Sequence, residues 1–248
     1  MAGHSKFANI KHRKERQDQA RGKVFSRIAK EITMSVKQGG GPDPGANIRL
    51  SAALDRARAA NMPKDNIDRA IKRATGEIPG ISYEEITYEG YGPDGVAIML
   101  NVITDNKNRT AAEIRQMFDH GGGSLGGSVA WMFDRKGVVS ISKSNLTTDP
   151  EDFLLEAMDW GAEDLEDTGE TVQLYCDPGQ TSALVDGIKQ AGIEPGENSL
   201  TMVPQNTIKL EGRAAERIVK FFQALDDHED VQDAYANFEV PDEAFEAL

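Results

Sequence analysis

Apolar side chains in the first third of the chain recur at helical spacing. Val24, Ile28, Ile32 and Val36 come every four residues from Lys23 onward, and Gly39-Gly40-Gly41 with Pro42 ends the run. Leu50, Ala53, Leu54 and Ala57 repeat the stripe in a second helix. Ile67, Ala70, Ile71 and Ala74 repeat it in a third, opened near Pro63, a residue suited to a first turn. After Gly80 the period shortens to two. Ile86 and Tyr88 alternate with Glu85, Thr87 and Glu89, Gly90 to Gly95 reads as a turn, and Val96 to Ile103 reads as a strand apolar on both faces. Thr110-x-x-Glu113 has the form of a capping box before Ile114, Met117 and Phe118. Gly121-Gly122-Gly123 closes that helix, and Val129 to Phe133 reads as another strand.

The next stretch predicts a complete β-α-β-β-α-β unit. Its strands are Val138–Ile141, Glu163–Leu165, Val172–Cys176 and Leu200–Val203, and its helices carry Leu154, Ala157, Met158 and then Leu184, Ile188, Ala191. One further helix (Ala215, Ile218, Val219, Phe222) and one strand (Val231 to Phe238) follow. A lone helix and strand cannot make a core, so they are expected to complete the unfinished β-β-α-β before the insert. The expectation is an α+β protein: a helical domain over 1–80, a discontinuous domain over 81–136 and 205–248, and an inserted domain over 137–204. The two sheet domains are split-βαβ, ferredoxin-like units, one inside the other.

Composition limits the functions available. No apolar run approaches the ~18 residues of a membrane span; the best, Val96 to Leu100, stops at Asn101. The start, MAGHSKFANIKHRKERQ, lacks the apolar core of a secretory signal. A single cysteine, Cys176, excludes an internal disulfide and suits a reducing compartment. A cytoplasmic protein is expected.

The net charge of −13 hides a division. Residues 1–80 hold 17 Lys and Arg against 8 Asp and Glu, whereas residues 81–248 hold 11 against 33. Charge acts over about a Debye length (~8 Å at physiological salt), so a basic end on an acidic body can still hold a polyanion. Lys6, Lys11, His12, Arg13, Lys14, Arg16, Arg21, Lys23, Arg27 and Lys30 face only Glu15, Asp18 and Glu31. These ten are the candidate nucleic-acid contacts, because counterion release rewards cations that find phosphates. Residues 1–22 hold too little apolar surface to order themselves and are expected to be mobile alone. Phe7 and Phe25 are the only aromatics in the arm and first helix, which favours backbone and shape recognition over base readout. On the third helix Arg69, Lys72 and Arg73 share a face, but Asp65–Arg69 and Asp68–Lys72 have the spacing of internal ion pairs.

Catalysis finds little support. His4, His12, His120 and His228 lack metal-ligand spacing, and Cys176 shares an apolar strand face with Val172 and Leu174. The two triple-glycine runs follow helices and lack the phosphate-loop form, so they read as helix caps. The segment from Asp226 to Glu246 has nine acids and no lysine or arginine, and reads as a solvated surface or a mimic of nucleic-acid charge.

MAGHSKFANIKHRK, RGKVFSRIAKEI, NMPKDNIDRAIKR, YEGYGPDGVAIM, TDNKNRTAAEIR and GGSLGGSVAWMF, in that order across essentially the whole chain, resemble the YebC/PmpR family of bacterial proteins with mitochondrial relatives. The segment between Gly122 and Gly127 is about a residue shorter than that family's usual loop. The resemblance implies a three-domain cytoplasmic protein with no known catalytic activity, and no cofactor is expected. It implies a DNA-binding transcriptional regulator, or on a competing view a translation factor that binds the ribosome and eases peptide-bond formation on proline runs. The residues leave both open. The lack of a clear base-reading helix leans toward RNA, and a protein-binding role for the acidic domains is a third possibility.

Overall fold

The computed structural model describes residues 18–146, 148–241 and 243–246. The expectation of a mobile arm falls on residues outside these up to Gln17; from Asp18 the chain is helical, five residues before the apolar stripe begins. Helix α1 (Asp18–Gln38), α2 (Ile48–Ala59) and α3 (Lys64–Thr75) pack their stripes into one cluster around Ile32, Leu50, Ala53 and Ala57. Each fully buried Leu or Ile there contributes about 1.5–3 kcal/mol. Asn47 staples the loop that joins α1 to α2. Its Oδ1 accepts from Leu50 N at 3.0 Å, while its Nδ2 donates to the Ser35 and Gly41 carbonyls.

Two four-stranded antiparallel sheets follow. The first has the order β3-β1-β2-β9, from Ser124–Leu125, Glu84–Tyr91, Ala97–Thr104 and Val231–Ala236. Helices α4 (Lys107–Gly121) and α7 (Gly212–Asp226) cover one face, with Ile98, Leu100, Ile114, Phe118, Ile218 and Phe222 in the core. The late helix and strand therefore return to the first sheet, and β2-α4-β3 straddles β1 as a split βαβ. A parallel pair, β8 (Ile208–Lys209) and β10 (Phe238–Glu239), and helix α8 (Glu243–Glu246) complete this part.

The second sheet has the order β5-β6-β4-β7, from Ala162–Asp167, Thr171–Cys176, Phe133–Ser142 and Asn198–Pro204. Helices α5 (Pro150–Met158) and α6 (Thr181–Gln190) lie against it. With strands numbered within the unit this is 2-3-1-4, the split-βαβ, ferredoxin-like arrangement. The fold is α+β.

Several local expectations need correction. Val129 to Phe133 is not a strand: both Val129 N and Ala130 N donate to the Glu89 carboxylate, at 2.5 and 2.8 Å, and cannot join a ladder. A single tight turn, Ala130–Met132, leads instead into β4, which begins at Phe133 and runs through residue 136, where a boundary was expected. The third strand of the first sheet is the short β3, and β1 continues through Gly90 and Tyr91 to pair with it. The capping box does not form. Asn106 caps α4 by accepting from Arg109 N at 3.1 Å, and Thr110 lies buried one turn in. Met158 faces outward, since α5 buries Phe153 and Ala157 instead. Both glycine runs do end helices, with Gly40, Gly41 and Gly122 at φ of 102°, 111° and 80°.

Candidate nucleic-acid interface

Lys6, Lys11, His12, Arg13, Lys14 and Arg16 lie outside the described residues, and Arg21 sits on α1 where its side chain is not described. Lys23 is exposed on the same helix. Arg27 and Lys30 point the other way. Arg27 Nη2 donates to the carbonyl oxygens of Asp226 and His228. Lys30, only 9% exposed, donates from Nζ to the Glu229 carbonyl at 3.0 Å and to Asp230 Oδ1 at 2.5 Å. These two cations are spent on the turn between α7 and β9. Both were expected to meet phosphate; here the acidic body engages them instead, which sets them apart from the exposed Lys23.

Asp230 is the centre of that contact. Its side chain is 1% exposed. Beside the Lys30 bond at Oδ1, Oδ2 accepts from Arg109 Nη2 at 2.8 Å, Thr110 Oγ1 at 2.7 Å and Thr104 Oγ1 at 3.1 Å. Burial alone would push this carboxyl up; the bonds from Lys30, Thr110 and Arg109 outweigh it and hold the group well below the usual carboxylate range. The Asp230 backbone is fixed as well: its N–H donates to His228 Nδ1 at 3.2 Å, and its carbonyl accepts from Ile103 N at 2.9 Å. With Nδ1 accepting, the His228 proton sits on Nε2 and donates to Glu113 Oε2 at 3.1 Å. The TDNKNRT segment thus supplies Thr104, Arg109 and Thr110 as the receptor for one carboxylate, and Lys30 ties the helical region onto it.

Two weaker bridges flank this contact. Arg49 meets Glu85 at 2.9 Å with both side chains about one-third exposed, and pairs of that kind are worth little. Glu31 meets Arg56 at 3.0 Å. Burial pushes the Glu31 carboxyl above its ordinary value, with the neighbouring Asp233 adding to the rise and Arg56 opposing it.

The outer face of α3 offers cations that no described residue pairs with. Arg69, Lys72 and Arg73 are exposed, as are Asp65 and Asp68, yet neither expected i, i+4 pair closes to ion-pair distance. Among the described residues these three cations form no ion pair. The base of the Arg73 side chain packs against Gly80, where an added Cβ would meet the Arg73 Cβ at 3.2 Å. By spacing alone this helix is a face that internal pairing could consume. Only the observed rotamers separate that outcome from a free cationic face.

The described residues include no cluster of three or more His, Cys, Asp or Glu able to hold a metal ion, and no helix long and apolar enough to cross a membrane. Cys176 is wholly buried in the core of the second sheet, and that burial pushes its thiol up, away from the nucleophilic thiolate.

Comparison with known proteins covers nearly the whole chain. Residues 5–77 match the family described as "TACO1/YebC protein N-terminal domain", and residues 83–238 match "TACO1/YebC second and third domain". A protein of Dictyoglomus turgidum named "Probable transcriptional regulatory protein" is 50% identical over 250 residues, covering 100% of both chains. One of the same name from Thermotoga maritima is 47% identical, covering 100% of this chain and 98% of its own. A conserved hypothetical protein of Aquifex aeolicus, solved by crystallography, superposes with a TM-score of 0.79 at 38% identity, covering 91% of this chain and 93% of that one.

Proposed function

The chain belongs to the TACO1/YebC family, and from that premise we propose that it is a non-enzymatic, cytoplasmic nucleic-acid-binding regulator, with transcriptional control on DNA as the first reading. The names carried by its relatives support the regulatory role. The observation that carries the nucleic-acid reading is the outer face of α3, where Arg69, Lys72 and Arg73 stay exposed and, among the described residues, without an ion pair although two aspartates stand on the same helix. With the basic sequence that precedes Asp18 and with Lys23, this face keeps the positive charge in the first third of an otherwise acidic chain.

Binding to ribosomal RNA is a second reading, favoured by the polarity of α3. A recognition helix reads bases with its N-terminal residues, yet the first turns of α3 expose Asp65 and Asp68 after a single cation, Lys64, and Arg69, Lys72 and Arg73 follow toward its C-terminal half. That distribution suits contact with a phosphate backbone better than insertion into a groove. The three-part division of the chain belongs to the same proposal: 1–80, then 81–136 with 205–248, then 137–204, the inner boundary shifted to the start of β4.

Crosslinking in cells separates the two readings. Recovery of defined promoter DNA without ribosomal RNA supports transcriptional control. Ribosomal RNA without promoter selectivity transfers the proposal to translation, and recovery of neither refutes nucleic-acid binding.

A further inference from the structure

We propose that the helical face of the second sheet domain docks a basic, amphipathic segment of another protein. Helix α5 buries Phe153 and Ala157 against its sheet, but leaves Leu155 68% and Met158 54% exposed. Three residues apart, they stand side by side on the outer face of the helix. Next to Met158 a shallow groove opens toward α6, lined by Asp159, Trp160, Ala183, Asp186 and Gln190. Trp160 forms a rigid wall. Its indole lies on Gly187, where a Cβ would come within 2.2 Å of the ring, and its edge meets Phe153 with ring centroids 6.1 Å apart.

Charge selects the occupant. Glu151, Asp152 and Asp159 surround Leu155 at one-turn spacing, and Asp186 stands across the groove, all four exposed. Lys189 is the one basic residue on these two helices. Such a collar repels phosphates and draws cations. A cationic chain alone would leave Leu155, Met158 and the face of Trp160 uncovered; an apolar chain alone would bury carboxylates without partners. A helix with leucine-type residues on one face and lysine or arginine flanking them satisfies both, in the helix-in-groove manner. The methionine lets the surface adapt to the anchor. This inference is independent of the nucleic-acid reading, since it concerns the other end of the charge distribution.

The test uses the full chain carrying Trp131→Phe, which leaves Trp160 as the sole tryptophan. The probe is a synthetic peptide of about 18 residues of leucine and lysine, with all leucines on one helical face. A scrambled peptide of the same composition and a glutamate-for-lysine version serve as controls. The expected result is a saturable change in Trp160 emission with the amphipathic basic peptide. Binding should be at least about tenfold weaker for both controls and for a Leu155→Asp/Met158→Asp variant, as for loss of a central anchor. Those two positions are exposed, and an unchanged circular dichroism spectrum checks that the variant is folded. Equal binding of the scrambled peptide, unchanged binding by the variant, or no emission change overturns the proposal. So does an emission change produced by polyuridylate, or a dimer of the free chain that the double variant dissolves.

Discussion

Replacing Asp230 by Asn should be among the most damaging isosteric changes in this protein. The substitution keeps the volume but removes the anion that faces Lys30 Nζ at 2.5 Å and Arg109 Nη2 at 2.8 Å. The amide has one oxygen to offer, so its NH2 must face either Lys30, which is 9% exposed, or the donors of Arg109, Thr104 and Thr110, and in both orientations the two cations lose their anion. Removing one partner of a buried ion pair costs about 3–5 kcal/mol because the other charge stays buried. Against a total stability of roughly 5–15 kcal/mol, this is a large fraction. Urea unfolding should show the midpoint falling with little change in slope. Lys30→Met should cost less, since Asp230 keeps Arg109 and both threonines, and the double variant should cost less than the sum of the two. The pH dependence has a definite sign. The folded-state pKa of Asp230 is depressed, so its contribution is present above the unfolded value of about 3.9 and is lost as pH falls toward the folded value. Asp230→Asn should therefore flatten the acid limb of the stability profile below about pH 4. A cost below about 1 kcal/mol, or an acid limb as steep as in the parent, would refute the reasoning.

Glu31 should show the opposite dependence: burial raises its folded pKa, so its ionised form is penalised above that value and the penalty vanishes in acid. Glu31→Gln should leave stability at pH 7 unchanged or raise it by up to about 1 kcal/mol, because Arg56 is half exposed and tolerates losing its partner; a loss beyond 1 kcal/mol in thermal unfolding would contradict this. Glu89→Ala removes the acceptor of Val129 N and Ala130 N and should cost about 2–4 kcal/mol, with faster amide exchange confined at first to the turn before β4.

The sequence made the helices, the long strands and the nesting legible, because each rests on periodicity that burial enforces. Two of the failures involve long-range contacts. Thr110 looked like a cap and Val129 to Phe133 like a strand, but in both places a side chain distant in sequence takes the backbone or hydroxyl groups that the local pattern had assigned. For Thr110 that group is Asp230; for Val129 and Ala130 it is Glu89. The same holds for the candidate contacts. Arg27 and Lys30 look like their neighbour Lys23 along the helix, and only the arrival of the α7–β9 turn, some 199 to 201 residues later, separates the inward cations from the outward one. The free face of α3 was half legible: its charges were evident, but whether Asp65 and Asp68 neutralise them depends on side-chain positions that spacing leaves open.

The central claim is that phosphate meets the outer cations and not the buried ones. Its most direct test is the salt dependence of binding to one duplex DNA and one structured RNA, for the parent chain and for Arg69→Ala/Lys72→Ala/Arg73→Ala. With a log–log slope of roughly −0.7 to −0.9 per phosphate neutralised, the triple variant should lose about two units of slope on the preferred ligand while unfolding at the parent's temperature. An unchanged slope and affinity would contradict the account and leave the face of α3 as solvated surface.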